Sequence, residues 1–498
     1  MRYVSFVSYF VAALLSANGM ESRTIHVPAD SSTIQSGING GVDGDTVLVA
    51  DGIYTGDGNR DIDFGGKAIV VASENGPENC VIDCQGSESN PHRGFYFHSA
   101  EDTTSVLQGF TIQNGYAQGV DPLNSGGGIL CVGSGPTIVG NIITMNIAEH
   151  IGGGILCRFG PAPLITQNAI TDNVARYEGG GIFSHDASPR IEGNIISENS
   201  ADESGGGLFF AQEGSRNIIL VGNTITGNAA GSDGGGVACS YVDVLIEIED
   251  NAIAENTAAD GGGIFLRFAS PLISGNFIEE NVASNYGGGI DCHEAAAPTI
   301  SDNIITGNQS SIGGGIRCGY YSTAVITGNV IAWNSALEHG GGISCRTSYR
   351  PPTLRSNTIA WNTATRGGGF YFYDSTALLF TMNMIFWGNE AAEGPAIWVD
   401  GVLFPTVLII RYSDVEGGEA SIHVGDYGYV SWEEGMITRD PRFVDPGSMD
   451  VHLLSNSPCI DSGDPSFDVP TGGGCRSDMG AFEYWKGFNC HKNLAIRD

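Results

Sequence analysis

The chain has 498 residues, of which 74 are glycine and 41% are hydrophobic. Its 22 basic and 56 acidic residues give a net charge of −34, which disfavours nucleic acid as a partner because phosphate binding requires a basic face. No cofactor motif is found; calcium is left open as a ligand of so acidic a chain, although no known calcium-loop spacing occurs.

The first 19 residues are typical of a secretory signal peptide. Arg2 provides a positive end, residues 3–15 form a mostly apolar run, and Ala17-Asn18-Gly19 has the small-x-small pattern of a cleavage site. The run is shorter than the roughly 20 apolar residues that span a bilayer, and no other segment reaches that length. We therefore expect a secreted, extracellular or cell-surface protein whose mature chain has no transmembrane segment.

Residues 20–120 are predicted to form an N-terminal cap and the first, irregular coils of a repeat. The segment from Thr33 to Ile38 predicts a short helix that covers the open end of the stack. Strand-like runs follow at 45–49 and 80–84. Because exported proteins commonly contain disulfides, Cys80 with Cys84 is considered as a bridge.

Residues 121–390 contain a regular repeat. Triple glycines begin at positions 126, 152, 179, 205, 234, 261, 287, 313, 340 and 367, so the period is 26 or 27 residues with one interval of 29. A second marker, Asn-x-Ile-x-x-Asn, occurs once per period, with its first asparagines running from Asn141 to Asn383. Its isoleucine is present in all ten copies, from Ile143 to Ile385, and its second asparagine in nine, Gly388 being the exception.

A stack of coils explains this strictness. Equivalent residues of neighbouring coils would lie about 4.8 Å apart, so the isoleucines form an apolar ladder and the asparagines hydrogen-bond from coil to coil. The first and third residues after each triplet, such as Ile129 and Cys131, are expected to point inward. Six cysteines occupy the third position and are interpreted as small core residues. With a further apolar stretch such as 136–138, the sequence predicts an all-β, right-handed parallel β-helix solenoid with three short strands per coil of about 26 residues.

Residues 391–485 are predicted to form C-terminal coils and a closing cap, and residues 486–498 a tail. Cys459 with Cys475 is considered as a second bridge, which leaves Cys490 over.

Several stretches carry a resemblance to known proteins: residues 33–54, the closing segments 440–443 (Asp-Pro-Arg-Phe), 457–465 and 478–483, and the repeated Gly-Gly-Gly-Ile units. The chain resembles the pectate-lyase-like superfamily of right-handed β-helices, and more closely the uncharacterised bacterial secreted β-helix proteins. Its repeats are also similar to those of polymorphic outer-membrane proteins. The resemblance covers nearly the whole chain and implies the fold, but the functions it implies range from lyases, hydrolases and epimerases to surface adhesins.

On the strand after each triplet, the second and fourth residues are expected to face outward. The fourth position is rich in arginine, histidine and aromatic residues, which is unexpected in an acidic chain and would suit an anionic polymer such as a uronic-acid polysaccharide. The candidate substrate-binding residues are Arg158, His185, Arg267, Arg346 and Tyr373.

Four other residues are the catalytic candidates. Asp291 and Arg317 occupy the second position on adjacent coils, and His293 and Glu294 follow Asp291 on the same coil. For β-elimination the base would be Arg317, Arg267 or His293, and for hydrolysis Asp291 and Glu294 are the local carboxylate pair. The alternative is that Asp291 and Arg317 simply form an ion pair across the ladder.

The constant period leaves no long loops to wall a cleft, so we expect a shallow surface that favours binding over catalysis. The sequence therefore predicts an adhesin-like, non-catalytic protein that presents a binding face to a polysaccharide or a cell surface. A lyase, epimerase or glycoside hydrolase acting on an acidic polysaccharide is the alternative, and whether the chain is an enzyme is left open.

Overall fold

The computed structural model describes residues 22–212, 217–346, 351–374, 377–401, 405–467 and 476–484. The predicted signal peptide and the tail lie outside these ranges. Within them, parallel strands stack coil upon coil into four sheets of 13, 16, 14 and 11 strands. The all-β solenoid predicted from the repeat is confirmed. None of the helices in the described ranges is long and apolar enough to cross a membrane.

Each regular coil contains four strands, not the three expected. In one coil they are Ile182–His185, Arg190–Glu192, Ile195–Ser197 and Ser200–Ala201, which belong to sheets that we number 1 to 4 in that order. The strand of sheet 4 has only two residues in this coil, too few to produce an alternating pattern in the sequence. It lies in the stretch between the second asparagine and the next glycine triplet.

Sheet 1 follows the glycine triplets and carries every predicted site residue on its strands or in the turns after them. Sheet 2 extends from Thr24–Val27 to Gly428–Trp432, and sheet 3 from Gly52–Tyr54 to Asp414–Val415. Sheet 4 extends from Tyr116–Ala117 to Glu390–Glu393. The strands of sheet 1 are Phe95–Phe97, Ile129–Val132, Ile155–Arg158, Ile182–His185, Leu208–Gln212, Val237–Val242, Ile264–Ala269, Ile290–Cys292, Ile316–Cys318, Ile343–Cys345, Phe370–Asp374, Ile397–Gly401 and Ile422–Val424.

Two asparagine ladders lock the coils together, as predicted. The Asn256 side-chain amide donates to the carbonyl of Ile225 at 2.9 Å and to Asn281 Oδ1 at 3.0 Å, while its own Oδ1 accepts two hydrogen bonds from Asn228. Each amide thereby satisfies turn backbone that is buried away from water. The second ladder ends in Asn389, not at Gly388, because the last regular coil is shifted by one residue.

That shift changes one core assignment. Met384 occupies the place of the first asparagine, and Phe386, not Ile385, pairs with Ile359 in the inward column. Ile385 lies on the outer face of sheet 3 beneath the C-terminal segment.

The two ends of the solenoid are closed differently. The predicted N-terminal helix is confirmed as Ile34–Gly40, with Thr33 and Ser36 forming a capping box at its start. Near the C-terminus, strands Phe443–Asp445 and Asp450–Leu453 form an antiparallel pair that folds back along the outer face of sheet 3. Within the described residues, the remaining helical elements are the 3₁₀ turns Gly418–Ser421 and Pro446–Ser448.

The cysteines are core residues. The six of the repeat are free and fully buried, as predicted. Cys80 and Cys84 are also free, so the proposed bridge is wrong: four residues along a strand span about 13 Å, far beyond the roughly 7 Å limit for the Cα atoms of a disulfide. Cys459 is free, and its thiol donates to Asp414 at 3.3 Å, while Cys475 and Cys490 lie outside the described residues.

Candidate functional site

The outer face of sheet 1 is a groove. Its floor, which we call the floor column, consists of the second residue after each glycine triplet, and these residues are at most 7% exposed although the sequence predicted an outward-facing surface. The column consists of Leu130, Leu156, Phe183, Phe209, Ala238, Phe265, Asp291, Arg317, Ser344 and Tyr371.

The glycine triplets create the groove. The first glycine of each triplet is left-handed, with φ of 69° at Gly179, and the turn brings it against the floor residue of its own strand. A Cβ on Gly179 would lie 2.7 Å from the Cβ of Phe183. The residue before the triplet therefore stands beside the floor and forms one wall. The opposite wall, which we call the rim column, consists of the fourth residue after each triplet, which lies on the strand or in the turn that follows it.

A pocket lies where two neighbouring rim residues are small. Ala211 and Ser240 lie between His185 and Arg267 in the rim column, and the gap opens a pocket of about 490 Å³. Phe183 and Phe209 stack on its floor with ring centroids 5.2 Å apart. The regular coils therefore form a pocket without long loops.

Carboxylates line the wall opposite the rim. Glu178, Glu203, Asp233 and Asp260 form this acidic wall, which sequence analysis missed. Burial, with the neighbouring Glu203 carboxylate, raises the pKa of Glu178 from 4.5 to about 7. Burial and Asp260 raise the pKa of Asp233 to about 6, and burial and Asp291 raise that of Asp260. Comparing the residue before each triplet from coil to coil would have revealed Glu178, Asp233 and Asp260 in the sequence.

These raised pKa values predict that the fold loses stability as pH rises. Glu178 binds its proton more tightly in the folded state, so its stabilising contribution is complete below pH 4.5 and is lost as pH approaches about 7. We expect Glu178→Gln to match the wild type at pH 4.5 and to be about 1–2 kcal/mol more stable at pH 8. Urea unfolding at both pH values measures this difference, and an equal difference at both would contradict it.

The structure brings three of the four catalytic candidates together. Arg317 Nη1 donates to both oxygens of the fully buried Asp291, at 3.0 and 3.2 Å, and lies 3.1 Å from His293 Nδ1. His293 Nδ1 also lies 3.4 Å from Asp291 Oδ2, so the imidazole contacts both members of the ion pair. Glu294 is separate from the cluster and pairs with Arg267 at 3.3 Å.

The same cluster offers metal ligands. One ligand atom each from Asp260, Asp291 and His293 lie within 4.8 Å of one another. Two of the three already contact Arg317, so a metal ion would have to displace the guanidinium. The donor set fits a cation, and in this arrangement Arg317 supplies the positive charge.

The predicted binding residues lie along the rim, but their charges are largely neutralised. Arg158 donates to both oxygens of Asp121, at 2.7 and 2.8 Å, and Arg267 pairs with Glu294. The Arg346 guanidinium lies 5.5 Å from the ring centroid of Tyr373. His185 lines the pocket, as does Arg267. Two of the three rim arginines thus carry a carboxylate partner, so the rim is not the uncompensated cationic strip that the sequence suggested.

Several solved structures are similar to the chain at low sequence identity. Among solved structures, the chain is similar to the catalytic domain of a GH87 α-1,3-glucanase in complex with nigerose, with 14% identity, coverage of 84% of this chain and 70% of that one, and a TM-score of 0.33. It is also similar to pectate lyase Pel9A, with 13% identity, coverage of 93% and 97%, and a TM-score of 0.31. No curated protein sequence matches the chain significantly.

The family comparison covers most of the repeat. The model of the right-handed β-helix region matches residues 65–242 and 235–424, which together exceed half of the chain. The chain belongs to the right-handed β-helix family.

Proposed function

We propose that the groove of sheet 1 binds a linear polysaccharide and that the chain is a secreted or cell-surface binding protein. The observation that supports this most is the unbroken floor column, which extends from Leu130 to Tyr371 over ten coils. At about 4.8 Å per coil the floor column is about 43 Å long. A groove built from repeating units suits an extended polymer of repeating units.

The charges favour an uncharged polymer over an acidic one. Asp121 and Glu294 already neutralise Arg158 and Arg267, and the buried Asp291 neutralises Arg317. The acidic wall would repel a uronate chain, whereas its carboxyls accept hydrogen bonds from sugar hydroxyls. The proposal therefore names a hydroxyl-rich, uncharged polysaccharide, where the sequence alone pointed to an acidic one.

Retention on immobilised polymers tests the proposal. We expect the chain to be retained on uncharged glucans such as laminarin or hydroxyethylcellulose, and not on polygalacturonate or alginate. Added salt should change the retention little, because screening weakens only charge-driven binding. Retention on the acidic polymers alone, lost with salt, would reverse the assignment.

A matched pair of variants locates the binding face. Ser240→Arg fills the pocket with the side chain that the next coil already carries at this position, and we expect at least a tenfold loss of affinity. Thr224→Arg adds the same side chain on the exposed face of sheet 3 and should leave binding unchanged. Equal effects of the two substitutions would remove the groove from consideration.

Hydrolysis of the bound polymer is a second candidate function, favoured by one observation. Carboxylate oxygens of Asp260 and Asp291 lie within 4.8 Å, close to the roughly 5 Å separation of retaining glycosidases. The raised pKa of Asp260 suits a general acid. Asp291, which is paired with Arg317, would be the second carboxylate of the site. Asp291 is fully buried, so binding stands first. New reducing ends without unsaturated products would establish the hydrolase. Reducing ends accompanied by unsaturated sugars, which only the uronate polymers can yield, would indicate a lyase instead.

A further inference from the structure

The turn that follows sheet 1 places aromatic residues in an unfavourable backbone conformation. In the coil of residues 129–132 this turn has Gly133, with φ of 65°. Other coils have Phe159, Tyr241, Phe268 and Tyr321 in the left-handed region, with φ between 48° and 61°. Bulky side chains rarely adopt this conformation, and glycine adopts it freely.

The same aromatic rings are exposed. Phe159, Tyr241 and Tyr321 are 53%, 54% and 57% exposed, and Phe268 is 37% exposed. Each ring therefore has two unfavourable features, a strained backbone and apolar surface in water, and neither contributes to the core. Residues retained in strained backbone at a concave surface point to a function.

Two of these rings form a platform at the pocket. Tyr241 and Phe268 stack on adjacent coils with centroids 5.0 Å apart and planes inclined by 22°. The Arg267 guanidinium lies 5.4 Å from the Tyr241 centroid and 5.8 Å from that of Phe268. Its charge is shared with Glu294, so Arg267 holds the rings in place without making the platform a strong anion site.

The platform is continuous with the pocket. Tyr241 and Arg267 line it on the rim side, and Asp233 and Ser204 line it on the opposite wall. Ser204 Oγ donates to Asp233 at 3.4 Å. A ring that enters the pocket would meet aromatic surface on one side and hydrogen-bonding oxygens on the other, which is the arrangement that a pyranose with one apolar face requires.

We propose that Tyr241, backed by Phe268, forms the primary sugar-binding subsite of the groove, with an uncharged hexopyranose unit stacked on the face of Tyr241 that Phe268 does not cover and its hydroxyls bonded to Asp233. The inference rests on the proposed function and adds to it the position and chemistry of the strongest contact. It also accounts for the strain: glycine would be the favourable residue at both positions if the turn had only a structural role.

Substitution by glycine separates the two roles. In Tyr241→Gly/Phe268→Gly, the backbone strain disappears together with the rings, so we expect a melting temperature equal to or above that of the wild type. Retention on immobilised laminarin or hydroxyethylcellulose should weaken at least tenfold. Gln167→Gly is the matched control, because Gln167 is exposed and left-handed with φ of 56° in the turn between sheets 2 and 3. It should gain stability with no change in retention.

The outcomes are distinguishable. A glycine double variant that is retained like the wild type would overturn the subsite and leave the groove proposal intact. A variant that loses both stability and retention would show that the rings support the fold, which also overturns the subsite. Tyr241→Asn/Phe268→Asn repeats the test with a residue that tolerates this backbone, should the glycine variant not fold. A wild-type chain that no uncharged glucan retains would refute the proposed function itself.

Discussion

Replacing Gly180 with alanine is expected to destabilise the solenoid by about 4 kcal/mol or more. The added Cβ would lie 2.4 Å from two carbonyl oxygens, those of Gly206 and Ser200. Both are backbone atoms, so no side chain can move aside. The coils would have to separate locally, at the point where the Gly180 amide donates to the Gly205 carbonyl at 3.0 Å.

A second glycine provides the control for this prediction. Gly193 has φ of 63°, but a Cβ there would meet nothing within 4 Å. Gly193→Ala should therefore cost only the left-handed strain, about 1–2 kcal/mol. Urea unfolding of both variants measures the contrast. Equal losses would mean that conformation, not the space between coils, determines why glycine occupies the middle of the triplet.

The repeat predicts the core well because stacking repeats one environment in every coil. Ile143 lies over Ile170 and Ile170 over Ile196, so a column read from the sequence is a column in space. The rule fails where the register slips. Asn383-x-Ile385 matches the motif, yet Met384 and Phe386 occupy the buried positions, and the asparagine at 389 in place of 388 is the sequence signal of that slip.

The groove was harder to predict for a physical reason. Alternation along a strand tells which side of the sheet a residue faces, but not what lies over it. Phe183 does face away from the inner core, and it is nevertheless buried because the turn at Gly179 covers it. Long-range partners were invisible for the same reason: the carboxylate that neutralises Arg158 is Asp121, 37 residues earlier and outside the periodic frame.

The contact between Asp291 and Arg317 follows from their column positions, and its burial gives the second large prediction. Asp291 is fully buried and the Arg317 side chain is 8% exposed, with its guanidinium 4.1 Å from the ring centroid of Tyr286. Asp291→Leu alone leaves the buried Arg317 without its carboxylate, and Arg317→Met alone leaves the buried Asp291 with only its 3.4 Å contact to His293 Nδ1, so each should cost about 3–5 kcal/mol. The double variant removes both charges and places a leucine at position 291, like Leu156 in the same column of another coil. It should therefore be more stable than either single variant.

The double variant also decides what the pair does. Urea unfolding of the wild type, both single variants and the double variant gives the coupling energy, and additive losses would contradict the ion-pair interpretation. If the pair only supports the floor, Asp291→Leu/Arg317→Met should fold and be retained on the same glucan as the wild type. If Asp291 takes part in hydrolysis, the variant should still bind but release no reducing ends, because the carboxylate is gone while the groove around it remains.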